Sequence, residues 1–350
     1  MKKQLRRAAL TMLKGGGAFS LIKDSAWRKQ RLLILCYHGI SIEDEHQWRP
    51  FLYLTPEIFE RRLEMLERGK YAVLPLGEAL ERLNRNDLPR RSVALTFDDG
   101  GYDFYRQAYP RLKRHGFPAT VYLTTYYSPL QLPVFSSMCS YLLWKARNLG
   151  SIDLGEFGVG RPVDLGSSDI REAAAGQIVE RADAQNITGE EKNQIAARLA
   201  HRLGIDYEEL LQKRILQVMN RSEMAELDGQ CVDLQLHTHR HRTPREEELF
   251  RKEIRDNRAY IASVVGGERK HFCYPSGSYR PEFVEWLAKE DVVSATTCDT
   301  GLATSKSNPL LLPRLVDTSA RTDLEFESWL NGIGHFLSRR RRGRHAYLAD

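Results

Sequence analysis

Two clusters of side chains carry the chemistry. Asp98 and Asp99 follow an apolar run, Val93-Ala94-Leu95-Thr96-Phe97, and are followed at once by Gly100. On an extended chain, neighbouring side chains point to opposite sides, so two adjacent carboxylates can take two roles. One can face a metal ion and the other a water or substrate. Asp is also a common helix cap, and a helical pattern starts near Tyr102, so a simple helix start competes with this reading. The second cluster is His237-Thr238-His239-Arg240-His241, which follows the strand-like Val232-Asp233-Leu234-Gln235-Leu236. One Asp and two His, with a position left open for water, describe a hydrolytic metal site. Spacing leaves the ligand pair open: 237 with 241, 237 with 239, or 239 with 241.

The surrounding elements must bring these clusters together. Leu32–Tyr37 reads as a buried strand ending in His38, 71–74 as a second, 92–97 as a third and 119–125 as a fourth. Helical spacing over 56–68, 76–83 and 102–115 separates them, which calls for a parallel sheet with crossover helices. The alternation breaks near residue 128 and returns near 231. Between these points, 139–147 and 191–218 read as helical, and 149–169 is rich in Gly and Asp with little periodicity. We expect an inserted, mainly helical subdomain over 128–225. After strand 232–236, the pattern predicts a helix over 245–264, a strand over 271–274 and a Pro-Ser-Gly-Ser turn at 275–278. A helix over 281–289, strands over 292–297 and 310–316, and a helix over 323–337 complete the chain. In α/β folds, ligands gather at the C-terminal ends of strands, where His38, the Asp pair and the His cluster all fall.

The 350 residues suffice for one large α/β domain or two smaller ones, and 42% hydrophobic with 28% charged residues is a globular mix. Five cysteines, an odd number with no CxxC spacing, argue against a disulfide framework and favour a reducing compartment. No run of 18 apolar residues exists to span a membrane. The net charge of +6 is mild, but basic residues crowd both ends. Residues 1–30 form a basic leader, with Leu5, Ala9, Met12 and Leu13 on one side of a helix. That arrangement suits an anionic membrane surface or a solvated leader alike. Residues 338–350 form a basic tail for which disorder is the expectation.

TFDDG at 96–100 paired with HTxxH at 237–241 resembles the polysaccharide deacetylase family, carbohydrate esterase family 4. LCYHGI at 35–40, FCYPSG at 272–277 and LPRLV at 312–316 resemble elements of the subgroup that contains poly-N-acetylglucosamine deacetylases. The resemblance implies an α/β fold, a distorted (β/α)7-type barrel spanning 31–337. It implies metal-dependent removal of acetyl groups from N-acetylated sugars in exopolysaccharide assembly. It assigns Asp98 as general base, Asp99, His237 and His241 as metal ligands, and His38 as general acid. Thr238 braces the loop, and His239 becomes a bystander. The turn carrying Tyr274 and Ser276 would serve the oxyanion and the substrate.

Much of the family holds the catalytic Asp with an Arg where this chain has Cys273, and Arg314 is the expected substitute. Ser276 stands where an aromatic residue is usual. The implied cofactor is a divalent cation, zinc first, with cobalt, nickel or iron as alternatives. The implied partner is an N-acetylated glycan or lipid-linked sugar, not nucleic acid. With the basic ends, this suggests a cytoplasmic protein at the membrane periphery. O-acetyl ester or non-sugar amide hydrolysis would use the same site, and a non-catalytic glycan-binding protein would reuse the fold.

Overall fold

Seven short, β-favouring stretches form parallel strands: β1 (Leu33–Tyr37), β2 (Ser92–Phe97), β3 (Ala119–Leu123), β4 (Val232–Leu236), β5 (His271–Cys273), β6 (Ser294–Thr300) and β7 (Leu312–Val316). Each pairs with the next in sequence. β7 returns to β1 through Leu35 opposite Leu315, so the sheet closes into a seven-stranded parallel barrel. The barrel is distorted. β5 meets β4 at a single residue pair, Phe272 with Leu236, and the β6–β7 register shifts between Thr296 and Thr300. The computed structural model describes residues 2–227 and 229–337. The basic tail of 338–350 lies outside the described residues.

Side chains alternate across each strand, which sorts the molecule into two layers. Leu33, Leu35 and Tyr37 of β1, with Val93, Leu95 and Phe97 of β2, face outward into the main core. There Phe59 meets the rings of Tyr37 and Phe97 edge-on. Phe59 comes from helix Pro56–Arg68, whose start is fixed by Pro56 and by Thr55 accepting from the Ile58 N–H. The inward-facing set is more polar: Cys36, Thr96, Tyr122, Cys273, Thr296 and Arg314 are all buried.

Most expected elements are present, with shifted limits. The helix expected over 102–115 contains a π-turn at Phe104–Ala108 before Tyr109–His115. The one expected over 323–337 breaks at Gly332, where φ is 96°. The insertion differs more. The run expected over 191–218 is two helices, Gly189–Arg202 and Tyr207–Gln212, parted at Gly204 with φ 69°. The aperiodic stretch holds an antiparallel pair, Ser151–Ile152 with Val163–Asp164, and then an unexpected helix, Ser168–Ala184. That helix buries Ala174, Ala175, Ile178 and Ala182, three of them too small to give a clear apolar stripe. These elements surround their own core, built on Phe135, Met138, Leu142, Leu199 and Ile215.

Below the barrel mouth, His271 of β5 is buried, with Nδ1 2.8 Å from the Ser294 hydroxyl. Burial, aided by Lys270, pushes its pKa down to about 4. A depressed imidazole pKa means that the unfolded chain binds more protons than the folded one between about pH 6.5 and 4. The contribution of His271 to stability is therefore complete at neutral pH and is lost as the pH falls through that window. Urea unfolding at pH 7 and 4.5 should show wild type losing roughly 2–3 kcal/mol more than His271→Gln does.

Candidate active site

Because all seven strands run the same way, their C-terminal ends share one mouth. His38 follows β1, Asp98 and Asp99 follow β2, and His237 to His241 follow β4. The alternation of β2 carries on into the pair. Asp98 falls on the same side as Thr96 and points into the lumen, where it is 3% exposed. Asp99 turns the other way, to the rim, with φ 68°. Left-handed backbone is unusual without glycine, and here Thr238 (63°), His241 (54°) and Ser276 (56°) share it.

Arg314 on β7 grips Asp98 with both nitrogens of its fork, Nη1 to Oδ1 at 2.7 Å and Nη2 to Oδ2 at 2.8 Å. Its Nε–H donates to the Thr297 carbonyl at 2.9 Å. Cys273, at the place where much of the resembled family has its Arg, accepts from Arg314 at 3.1 Å and sends its thiol towards Asp98 Oδ2 at 3.5 Å. The Cys36 thiol approaches the same oxygen at 3.6 Å. Burial would raise the Asp98 pKa, but the charge and hydrogen bonds of Arg314 outweigh it and hold the carboxyl far below its usual range. His38 Nε2 lies 3.7 Å from Asp98 Oδ2, and burial lowers the pKa of His38.

Asp99 Oδ1 is 3.2 Å from His237 Nε2 and 3.2 Å from His241 Nε2. This oxygen is buried and accepts no hydrogen bond, although its side chain is 43% exposed. Ligand atoms around a tetrahedral ion, each about 2.1 Å from it, stand roughly 3.4 Å apart. The three atoms thus suit one cation, and of the three pairs that spacing left open, 237 with 241 is the one brought to Asp99. His237 is oriented for this. Its Nδ1–H donates to the Cys273 carbonyl at 2.8 Å, leaving the Nε2 lone pair to face Asp99. His239 turns away, with Nδ1 2.8 Å from the Thr125 hydroxyl. Thr238 Oγ1 accepts from the Arg242 N–H at 3.1 Å and closes the loop.

The Pro275–Gly277 turn follows β5 and sits beside the ion pair. A Cβ on Gly277 would come within 2.8 Å of Cys298 Sγ, itself 3.9 Å from Arg314 Nη2. Ser276 is exposed on this turn. Tyr274 does not serve the substrate as expected. Its side chain is fully buried among Phe272 and Tyr279, and its hydroxyl donates to the Leu310 carbonyl at 3.1 Å. Cys273 occupies the lumen, so the next side chain must point out into the helical layer.

Two supports went unforeseen. Asn257 accepts from the His237 N–H at 3.0 Å and donates to the Leu123 carbonyl and the Thr125 hydroxyl. Glu253 accepts from the Arg240 N–H and from both the Arg240 and Arg242 guanidinium groups. Both project from the inner face of helix Glu247–Ala262, among Phe250, Ile254 and Ile261. A polar residue set in an apolar stripe was the available signal. On the other side, the turn after Asp99 is fastened to the stem of the insertion. The Tyr102 N–H donates to the Gln217 carbonyl at 2.8 Å, and the Met219 N–H to the Gly100 carbonyl at 3.0 Å.

Removing Arg314 would leave Asp98 as a buried, unpaired carboxylate. Arg314→Ala should cost about 3–5 kcal/mol in urea unfolding, and Arg314→Lys, lacking the fork, should recover only part of it. Combining Arg314→Met with Asp98→Asn should recover more than Arg314→Lys does.

Residues 85–135 and 210–294 match the family model described as polysaccharide deacetylase. YxkH of Bacillus subtilis is 36% identical over 104 residues, 28% of this chain and 35% of its own. The poly-beta-1,6-N-acetyl-D-glucosamine N-deacetylase of Staphylococcus epidermidis is 32% identical over 115 residues, 29% of this chain and 39% of its own. The matched stretches thus span little more than a third of these relatives. Among solved structures, the Streptococcus pyogenes deacetylase PplD, in complex with acetate, is similar in fold. Its TM-score is 0.55 at 19% identity, covering 83% of this chain and 93% of that one. The matched segments carry Asp98, Asp99, His237, His241 and Cys273, and the gap between them falls in the insertion: over these segments the chain is similar to the polysaccharide deacetylase family.

Proposed function

We propose that this mouth removes acetyl groups from N-acetylated sugars, with a divalent cation held by Asp99, His237 and His241. The observation that carries the reading is the meeting of two preorganised units. One is a trio of ligand atoms spaced for a single ion, and the other is a carboxylate locked by Arg314 with His38 at its side. A cation bound there supplies a Lewis acid that acidifies water and polarises an acyl oxygen.

The chain's own groups do the rest. Asp98, kept ionised by Arg314, takes a proton from the attacking water as general base. His38, kept neutral in its resting state by burial, takes that proton on from Asp98, 3.7 Å away, and passes it to the departing nitrogen, which returns Asp98 to its ionised form. On the exposed Pro275–Gly277 turn, the Ser276 N–H is the donor offered to a developing oxyanion, since Pro275 has none and the Gly277 N–H donates to the Tyr274 carbonyl. Two imidazoles and a carboxylate suit zinc, and also cobalt, nickel or iron. The sugar class is supported by the name of the staphylococcal relative and by the family match.

The purified protein should release acetate from oligomers of N-acetylglucosamine. Chelation should abolish turnover, and added cation should restore it. Turnover that survives thorough chelation would overturn the role of the metal. Asp98→Asn should lower kcat by about 10²–10⁴-fold while leaving bound metal near one ion per chain, since Asp98 lies outside the ligand trio. His38→Gln should lower kcat more than it raises KM.

A further inference from the structure

The helix Lys2–Gly15 has two apolar faces. Leu10 and Leu13 turn inward and pack with Phe19, Ile333 and Leu324. Lys14 pairs with Glu327 at 2.6 Å, so this helix lies along Asp323–Asn331 on the flank of the barrel. Leu5, Ala8 and Met12 form the second face. At about 100° per residue they fall within roughly 60° of arc, pointing away from the body. Leu5 is 64% exposed and Met12 72% exposed. Leu21 in the next helix, Ala18–Lys23, is 77% exposed, and Phe336, stacked on Trp27 at 4.6 Å, is 61% exposed. These include the most exposed large apolar side chains among the described residues.

The charge of the N-terminal segment is almost all of one sign, although the neighbouring helix carries Asp323, Glu325 and Glu327, the last paired with Lys14. Residues 1–30 hold eight basic side chains against the single acid Asp24. Asp24 is already taken by Arg91, 2.7 Å away. Of the basic groups, Arg28 is buried and structural, donating to the Leu330, Arg31 and Ser92 carbonyls. Arg7 and Lys29 are exposed. Ile333–Leu337 packs beside the same helices, and the sequence runs on from Leu337 into Arg339–Arg342 and Arg344. The last described residues, Ile333–Leu337, therefore lie on the same flank as the N-terminal helices.

We propose that this flank docks on an anionic lipid bilayer, with Leu5, Met12 and Leu21 entering the interface and the surrounding lysines and arginines meeting the headgroups. Cations alone would suit nucleic acid equally. Cations around an exposed apolar stripe match a surface that is charged outside and hydrocarbon beneath. No helix among the described residues is long and apolar enough to cross a membrane, so the attachment is peripheral.

The test uses the full chain with vesicles of pure phosphatidylcholine and vesicles containing 30% phosphatidylglycerol, about one lipid in three being enough for a strongly negative surface. Co-sedimentation should occur with the anionic vesicles, weaken as salt rises, and be at least about tenfold weaker on neutral ones. A Leu5→Asp/Met12→Asp variant should lose binding by a similar factor. Its unfolding transition and acetate release from a soluble substrate should stay unchanged, which separates this proposal from the catalytic one. Absence of binding to anionic vesicles at low salt would overturn the proposal. So would equal binding by the Asp variant, or binding to duplex DNA in preference to the vesicles.

Discussion

The site depends on an ion pair inside the barrel. Asp98 and Arg314 are both buried, and either charge alone in that lumen would be strongly unfavourable. Together they satisfy each other through two parallel hydrogen bonds, with Thr96, Thr297 and the thiols of Cys36 and Cys273 supplying further polar contacts. The pair joins β2 to β7 across the barrel, with β1 between them. Holding Asp98 inward fixes the direction of Asp99, because the two are adjacent on one backbone. The cluster of Asp99, His237 and His241 at the rim is therefore set by an interaction one layer below it.

Much of this was legible in the sequence because its signals are local. Buried parallel strands read as short apolar runs, and the Asp pair and His cluster sit where such runs end. The (β/α)7-type barrel expected from the resemblance is the architecture found, and sorting His239 from His237 and His241 needed the turn at Thr238. Less local facts were harder to read. Arg314 was nameable only as a candidate, since its partner lies 216 positions away. Tyr274 was misplaced because the direction of a strand residue follows from its neighbour, and nothing local said that Cys273 enters the lumen. Asn257 and Glu253 act through backbone groups of a distant loop, a use that residue type does not announce.

The insertion resisted reading for a different physical reason. Its helices pack around a core of their own, partly through alanine, so the periodic signal is weak exactly where burial is complete, at Ala174, Ala175 and Ala182. Helix breaks at Gly204 and Gly332 rest on left-handed glycines, which mark an end only once the flanking caps are known.

The way the insertion is attached has a practical side. Its stem closes on itself where Pro133 bridges Gln217 and the Val134 N–H meets the Leu216 carbonyl. Just beyond, Val218 bridges Gly101. A chimaera that exchanges the helical module between related chains should therefore cut inside this clasp, retaining 133–134 and 216–219 from the recipient. The transplanted core would still have to fit Trp48, Ile42 and Tyr53, which pack on it, while the backbone beneath Asp99 kept its native shape.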